Sequence, residues 1–164
     1  MITALLSVCL VAQTAVAEPE LAPVRHNPSR YHQVKNLAKT KLTIAGKHAF
    51  SVWVMDTEAK REEGMMFLED RDFTEKQGMV FVFKTPDMQR FWMKNTFVDL
   101  DIAYVSGNGK INTILTMAKF DTTTDYSSKQ ASMYVFEAKA GIFKKLGVKE
   151  GDYVKMVPLV RARD

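Results

Sequence analysis

The feature that most restricts the fold is a series of short apolar runs with large side chains at successive positions. In the run over residues 50–55 these side chains occupy both strand faces: Phe50, Val52 and Val54 on one, Trp53 and Met55 on the other. Because side chains alternate across a strand, both faces of such a strand must be covered. Similar runs, separated by turn residues, continue along the chain. We therefore predict an α+β, mostly β domain with a compact barrel-like antiparallel or mixed sheet and one or two short helices.

Turn and cap residues locate two hairpins and one helix. Ala45-Gly46-Lys47 separates two apolar runs, and Gly107-Asn108-Gly109 separates two others. Asn-Gly tolerates the two positive φ values of a type I′ turn, so a tight hairpin is expected there. Asp56 or Thr57 can cap a short helix that ends at Gly64, because their side-chain oxygens accept the free N–H groups of its first turn.

The beginning of the chain predicts export. Residues 1–17 carry no charged side chain, and their apolar run closes with Ala15-Val16-Ala17, the small-x-small pattern of a signal peptidase site. A run of about 16 residues is too short to span ~30 Å of hydrocarbon comfortably. We predict a signal peptide at 1–17, an extended tether at 18–40 and a single β-rich globular domain at 41–164. The mature protein is expected in the periplasm or outside the cell, with no stable membrane insertion.

Composition argues against several classes of function. Lys and Arg number 23 against 19 Asp and Glu, and the charges are interspersed, so no nucleic-acid partner is predicted. The single cysteine, Cys9, lies in the predicted signal peptide, which leaves the mature chain without thiol chemistry. The three histidines are scattered, and among the methionines only Met65 and Met66 are adjacent. We predict no metal site and no cofactor, with a copper-handling protein as a distant third function.

Five motifs together resemble a known family. They are Arg61-Glu62-Glu63-Gly64-Met65-Met66-Phe67, Gly78-Met79-Val80-Phe81-Val82-Phe83, Phe91-Trp92-Met93-Lys94-Asn95-Thr96, Tyr134-Val135-Phe136-Glu137 and Gly151-Asp152. Over roughly residues 42–157 they are similar to the uncharacterised prokaryotic family called domain of unknown function 192. The resemblance implies a compact β-rich fold and frequent export. It implies no established reaction, cofactor or partner.

Polar or amphipathic residues within the most apolar part of the chain are the candidate ligand-binding residues: Arg61, Trp92, Lys94, Asn95 and Asp101. An unpaired charge there would destabilise the fold by several kcal/mol unless a protein partner or a ligand paired with it. If residues 90–94 form a strand, Trp92 and Lys94 share one face and could hold a small polar, anionic or sugar-like envelope ligand. In the alternative interpretation Trp92 is core, Lys94 extends to solvent and Asn95 caps a turn.

Asp101 permits a second functional interpretation. Asp99 and Asp101 share a strand face and could exchange a proton as acid and base, or bind a hard cation. Asp101 could equally be structural, with Arg61 as its ion-pair partner. Known catalytic signatures are absent from the sequence, which weakens the case for an enzyme. The sequence thus favours an exported ligand-binding or interaction module of the cell envelope, with an envelope-acting hydrolase using Asp101 as the alternative.

Overall fold

A computed structural model describes residues 26–164 of the chain. The predicted signal peptide, residues 1–17, and the first part of the predicted tether, residues 18–25, lie outside the described residues. No helix within residues 26–164 is long and apolar enough to cross a membrane.

Short strands dominate the described part of the chain, in agreement with the predicted mostly β class. Residues 26–164 form β1 (Lys39–Ile44), β2 (His48–Met55), β3 (Gln77–Asp87), β4 (Arg90–Phe91), β5 (Leu100–Val105), β6 (Ile111–Met117), β7 (Tyr126–Ser127), β8 (Ser132–Lys139) and β9 (Val154–Val157). The helices are short: α1 (Glu58–Glu63), α2 (Ile142–Leu146) and 3-10 turns at Val34–Asn36 and Asp70–Asp72.

Seven strands form one curled sheet in the order β6-β5-β8-β3-β2-β1-β9, and β4 pairs with β7 beside it. The β2–β3 pair is parallel, and the other pairs are antiparallel. At one end the two edge strands, β6 and β9, come together. There the N–H of Val154, in β9, donates to the carbonyl of Gly109, just before β6, at 2.8 Å. The sheet is therefore a half-barrel, and the predicted α+β, mostly β fold is confirmed.

Both predicted hairpins form, but one turn differs in type. Ala45 and Gly46, between β1 and β2, both have positive φ. Between β5 and β6 only Gly109 has positive φ, at 89°, and its N–H donates to the carbonyl of Ser106. This geometry is a type I turn followed by a left-handed glycine, a common alternative to the predicted type I′ turn.

Two apolar clusters cover the two faces of the sheet, as the apolar runs predicted. Along β3, Val80 and Val82 pack into a cluster that includes α2, whereas Met79 and Phe81 pack into the other. The second cluster is covered by residues outside the seven-stranded sheet: Val34, Leu37, Met65, Leu68, Phe73, Met93 and Tyr126. Several methionines serve there as core side chains, which is the usual role of this adaptable residue.

The structure differs from the predicted tether over residues 26–40. Val34 and Leu37 are buried in the second cluster, and β1 already begins at Lys39. Arg30 is only 4% exposed and donates to the carbonyls of Gly64, at 2.9 Å, and Met66. These carbonyls follow α1 and need donors, so the segment is held on the folded body instead of extending from it.

Helix α1 also begins differently from the prediction. Thr57 is its N-cap residue, but its side chain makes no capping hydrogen bond. The Asp56 carboxylate pairs instead with Lys60, at 2.6 Å, and with Arg163, at 2.7 Å. The C-terminal residues are thereby fastened against α1.

Candidate functional site

A cavity of about 380 Å³ opens beside α1. Its walls come from α1 and the turn after it, from β3, from residues 89–92, from Thr96 and from β8. Aromatic rings supply much of the lining: Phe81, Phe83, Phe91 and Trp92. Concave sites of this size, mostly apolar with a few polar groups, are typical of small-molecule binding.

Glu137, on β8, is one of two polar residues buried at this cavity, with Thr96, and it is the ionisable one. Its cross-strand neighbours are Met79 on β3 and Ile102 on β5, both fully buried. Glu137 is 3% exposed, and no hydrogen bond or ion pair within residues 26–164 engages its carboxyl group. Burial among apolar neighbours disfavours the charged form and raises the pKa of Glu137 to about 8.

Close packing of β8 against β3 depends on Gly78. A Cβ atom at this position would lie 2.1 Å from the carbonyl oxygen of Glu137 and 2.7 Å from the Phe136 ring. Neither contact is compatible with the present strand spacing. The absence of a side chain at Gly78 therefore lets β8 hold Glu137 at the cavity.

Arg61 lines the cavity from α1, but its partner is not the predicted one. Its guanidinium group makes a forked ion pair with Asp164, with contacts of 3.0 and 3.1 Å, and donates to the carbonyl of Val82 at 3.0 Å. The same group lies over the Phe83 ring, 5.2 Å from its centroid. The predicted Arg61–Asp101 pair is therefore wrong.

Asp101 has a structural role away from the cavity. It is 3% exposed, and its two carboxylate oxygens accept from the Thr116 hydroxyl, at 2.7 Å, and the Phe143 N–H, at 3.0 Å. The second bond satisfies a free donor in the first turn of α2. Asp99, its predicted acid–base companion, is exposed and accepts from the Lys119 N–H instead. Asp101 is not among the cavity-lining residues.

The Trp92 region departs from the predicted strand because β4 ends at Phe91. Trp92 lines the cavity yet remains 54% exposed, so it is not a core residue. Lys94 extends over its ring, with Nζ 5.1 Å from the centroid. Asn95 has φ of 54°, a conformation that Asn tolerates, and its carbonyl accepts from the Phe67 N–H at 2.8 Å.

The structure thus brings Arg61 and Trp92 to one cavity, with Lys94 beside Trp92, and separates Asp101 from them. Sequence reasoning assigned no role to Glu137, although it stands in one of the family motifs. The available signal was a lone acid in the run Tyr134–Ala138, on the same strand face as Val135.

Metal-binding geometry is not found in the described part of the chain. No group of three or more His, Cys, Asp or Glu side chains within residues 26–164 could hold a metal ion. The adjacent Met65 and Met66 both line the cavity, but only Met65 is buried in the second cluster.

Comparison with known proteins defines the family. The model of the family called domain of unknown function 192, described as an uncharacterized ACR, matches residues 40–156. The chain belongs to this family. The resemblance carried by the sequence motifs is therefore confirmed, and with it the membership of an uncharacterised family.

Two solved structures are similar to this member of the domain of unknown function 192 family. One, from Sinorhizobium meliloti 1021 and described as a candidate transcription regulator, is 30% identical with a TM-score of 0.69, covering 75% of this chain and 97% of that one. A protein of unknown function from Novosphingobium aromaticivorans DSM 12444 is 30% identical with a TM-score of 0.70, covering 76% of this chain and 89% of that one. No curated protein matches the chain.

Proposed function

We propose that this protein is an exported small-molecule-binding module of the cell envelope, and that its ligand occupies the cavity beside Glu137. The observation that carries the proposal is a buried carboxyl group that has no partner within residues 26–164 and lines an open cavity. A carboxyl group that is held among apolar neighbours and reached only through the cavity is poorly hydrated, so a bound molecule that engages it would stabilise it.

The rest of the lining supports binding. Aromatic rings provide apolar contact area, and Trp92 presents a half-exposed ring at the cavity. The hydrolase alternative required Asp101 to act as acid or base on a bound substrate. Both oxygens of Asp101 are occupied by structural hydrogen bonds away from the cavity, which favours binding over hydrolysis.

A matched set of probes tests the binding proposal. Benzyl alcohol, phenylacetate and benzyltrimethylammonium share a benzyl group and carry a neutral, an anionic and a cationic head group, respectively. Titrated into the ¹⁵N-labelled protein, at least one should give saturable shifts at the amides of Trp92 and Glu137, without chemical change of the probe. If none does so up to about 10 mM, the proposal is refuted. Turnover of a probe would favour the hydrolase instead.

Export is tested separately. The apolar run and the Ala15-Val16-Ala17 pattern support cleavage after Ala17. Mass spectrometry of the envelope or secreted fraction should then find a mature chain that begins at Glu18. A chain that keeps Met1 in the cytoplasmic fraction would refute export and leave the binding proposal to its own test.

A further inference from the structure

We propose that the ligand of this cavity is an organic cation, such as an amine or a quaternary ammonium compound, whose charge is balanced by Glu137 and whose cationic group packs against the surrounding aromatic rings. This inference rests on the binding function proposed above and adds the chemical class of the ligand. Three features carry it: the balance of charges in the lining, the behaviour of the aromatic rings, and the position of Glu137.

Acidic side chains outnumber basic ones in the cavity wall. The lining holds four carboxyl groups and two guanidinium groups: Glu58, Glu62, Glu63 and Glu137 against Arg61 and Arg90. Both guanidinium groups are already engaged, Arg61 by Asp164 and Arg90 by Asp125. An anionic ligand would therefore find both guanidinium groups already paired and would lie next to carboxyl groups that have no cation as a partner.

Only one of the four carboxyl groups is neutralised by the protein itself. Glu63 pairs with Arg30, at 3.5 Å, and with His32, at 2.9 Å. No ion pair within residues 26–164 involves the side chain of Glu58, Glu62 or Glu137. These three carboxyl groups therefore have no cationic partner. Glu137 is the most buried of them, so the lack of a partner costs the most free energy there.

The aromatic rings of the lining already attract cations. Arg61 lies over Phe83, and Lys94 lies over Trp92, each about 5 Å from the ring centroid. Ring faces carry negative electrostatic potential, and a quaternary ammonium group enclosed by aromatic rings is stabilised by it. Phe81 and Phe91, which meet edge to face at 4.8 Å between centroids, complete an aromatic wall beside Glu137.

Binding of a cation should be coupled to loss of a proton from Glu137. In the free protein its pKa is about 8, so most molecules hold the neutral acid at neutral pH. A cation binds the ionised form, and its affinity should rise about tenfold per pH unit until the pH reaches 8. A ligand that only accepts a hydrogen bond from the neutral acid would show the opposite trend.

Other groups that could perturb this titration are limited. The cross-strand neighbours on β3 and β5 are apolar, and Lys139, two residues along on the same face of β8, is paired with Asp70. Tyr104 on β5 is held neutral, since burial and the nearby Glu137 raise its pKa. The remaining charged groups that line the cavity are those of α1 and β4: Glu58, Arg61, Glu62, Glu63 and Arg90.

The test compares a cation with its uncharged isostere. Choline and 3,3-dimethylbutan-1-ol have nearly the same shape, and benzyltrimethylammonium provides a second, larger cation. Isothermal titration calorimetry should give binding of at least one cation, at least tenfold tighter than the alcohol, with affinity rising roughly 20-fold from about pH 6.5 to about pH 8.5. At pH 7, titration in buffers of different ionisation enthalpy should show release of nearly one proton.

Two variants separate charge from fold. Glu137→Gln keeps the size of the side chain and should abolish cation binding together with its pH dependence. Glu75→Gln removes the same charge from an exposed surface pair outside the cavity and should bind as wild type. Equal affinity for choline and the alcohol, binding only of a neutral or anionic probe, or no binding of either cation would overturn the inference. A neutral or anionic probe that binds in this cavity would leave the proposed binding function standing.

Discussion

Replacing Glu137 by Gln should make the protein more stable at alkaline pH. Folding raises the pKa of Glu137 from 4.5 to about 8, so the folded state keeps a proton that the unfolded chain releases over this range. Below pH 4.5 the titration of Glu137 takes nothing from the free energy of unfolding. As the pH rises from 4.5 towards 8, the free energy of unfolding falls. At about 1.4 kcal/mol per unit of pKa difference, the full loss is on the order of 5 kcal/mol. Gln has the same shape and does not titrate, so the variant avoids the loss.

Urea unfolding at about pH 5, 6.5 and 8.5 measures the effect. The difference in unfolding free energy between Glu137→Gln and wild type should move by roughly 4 kcal/mol in favour of the variant from the lowest to the highest pH. Taking the difference removes the other titrating groups, which both proteins share. Glu75→Gln, an exposed change of the same kind, should give a nearly flat difference. A flat difference for Glu137→Gln as well would refute the claim that this carboxyl group is buried without a partner.

Three other substitutions test the packing and the division of roles. Gly78→Ala should destabilise the fold by about 3 kcal/mol or more in urea unfolding, because its Cβ atom would overlap the neighbouring strand; Gly107→Ala, whose Cβ atom would meet only Met133 at 3.6 Å, should stay within about 1 kcal/mol of wild type. Asp101→Asn should cost about 1–3 kcal/mol through its two structural hydrogen bonds while cavity binding is kept, and loss of binding with unchanged stability would contradict the structural role. Trp92→Ala should lower the free energy of unfolding by less than about 1 kcal/mol yet weaken probe binding, whereas a loss of 3 kcal/mol or more would mean that Trp92 is a core residue.

Local patterns were enough to predict most strands of the seven-stranded sheet. The runs that became β2 and β3 carry apolar residues on both faces, and the structure covers each face with its own cluster. Local patterns also singled out Arg61 and Trp92 as candidate ligand-binding residues, and both line the cavity. What failed were the pairings, because the partner of Arg61 lies in the C-terminal residues and no local rule connects α1 with Asp164.

The central residue of the cavity was missed for a related reason. Glu137 is unusual only because Met79 and Ile102 flank it from two strands that are far apart in the sequence. That register appears only when β3, β8 and β5 pair. The prediction of a strand over residues 90–94 was wrong, because β4 ends at Phe91. The alternation of side chains therefore does not apply to Trp92, and it does not place Trp92 and Lys94 on one strand face.

The position of β1 between β2 and β9 has a consequence for how the protein is made. Strand β9 is the last strand of the described chain, yet it pairs with β1, the first. As the chain folds, β1 can pair with β2 early, but its other edge stays unpaired until β9 is in place. An unpaired strand edge is open to pairing with other chains, so the β1 edge is a point at which the protein can aggregate until β9 is in place. A cell that makes this protein would benefit from a chaperone that covers the β1 edge during that interval.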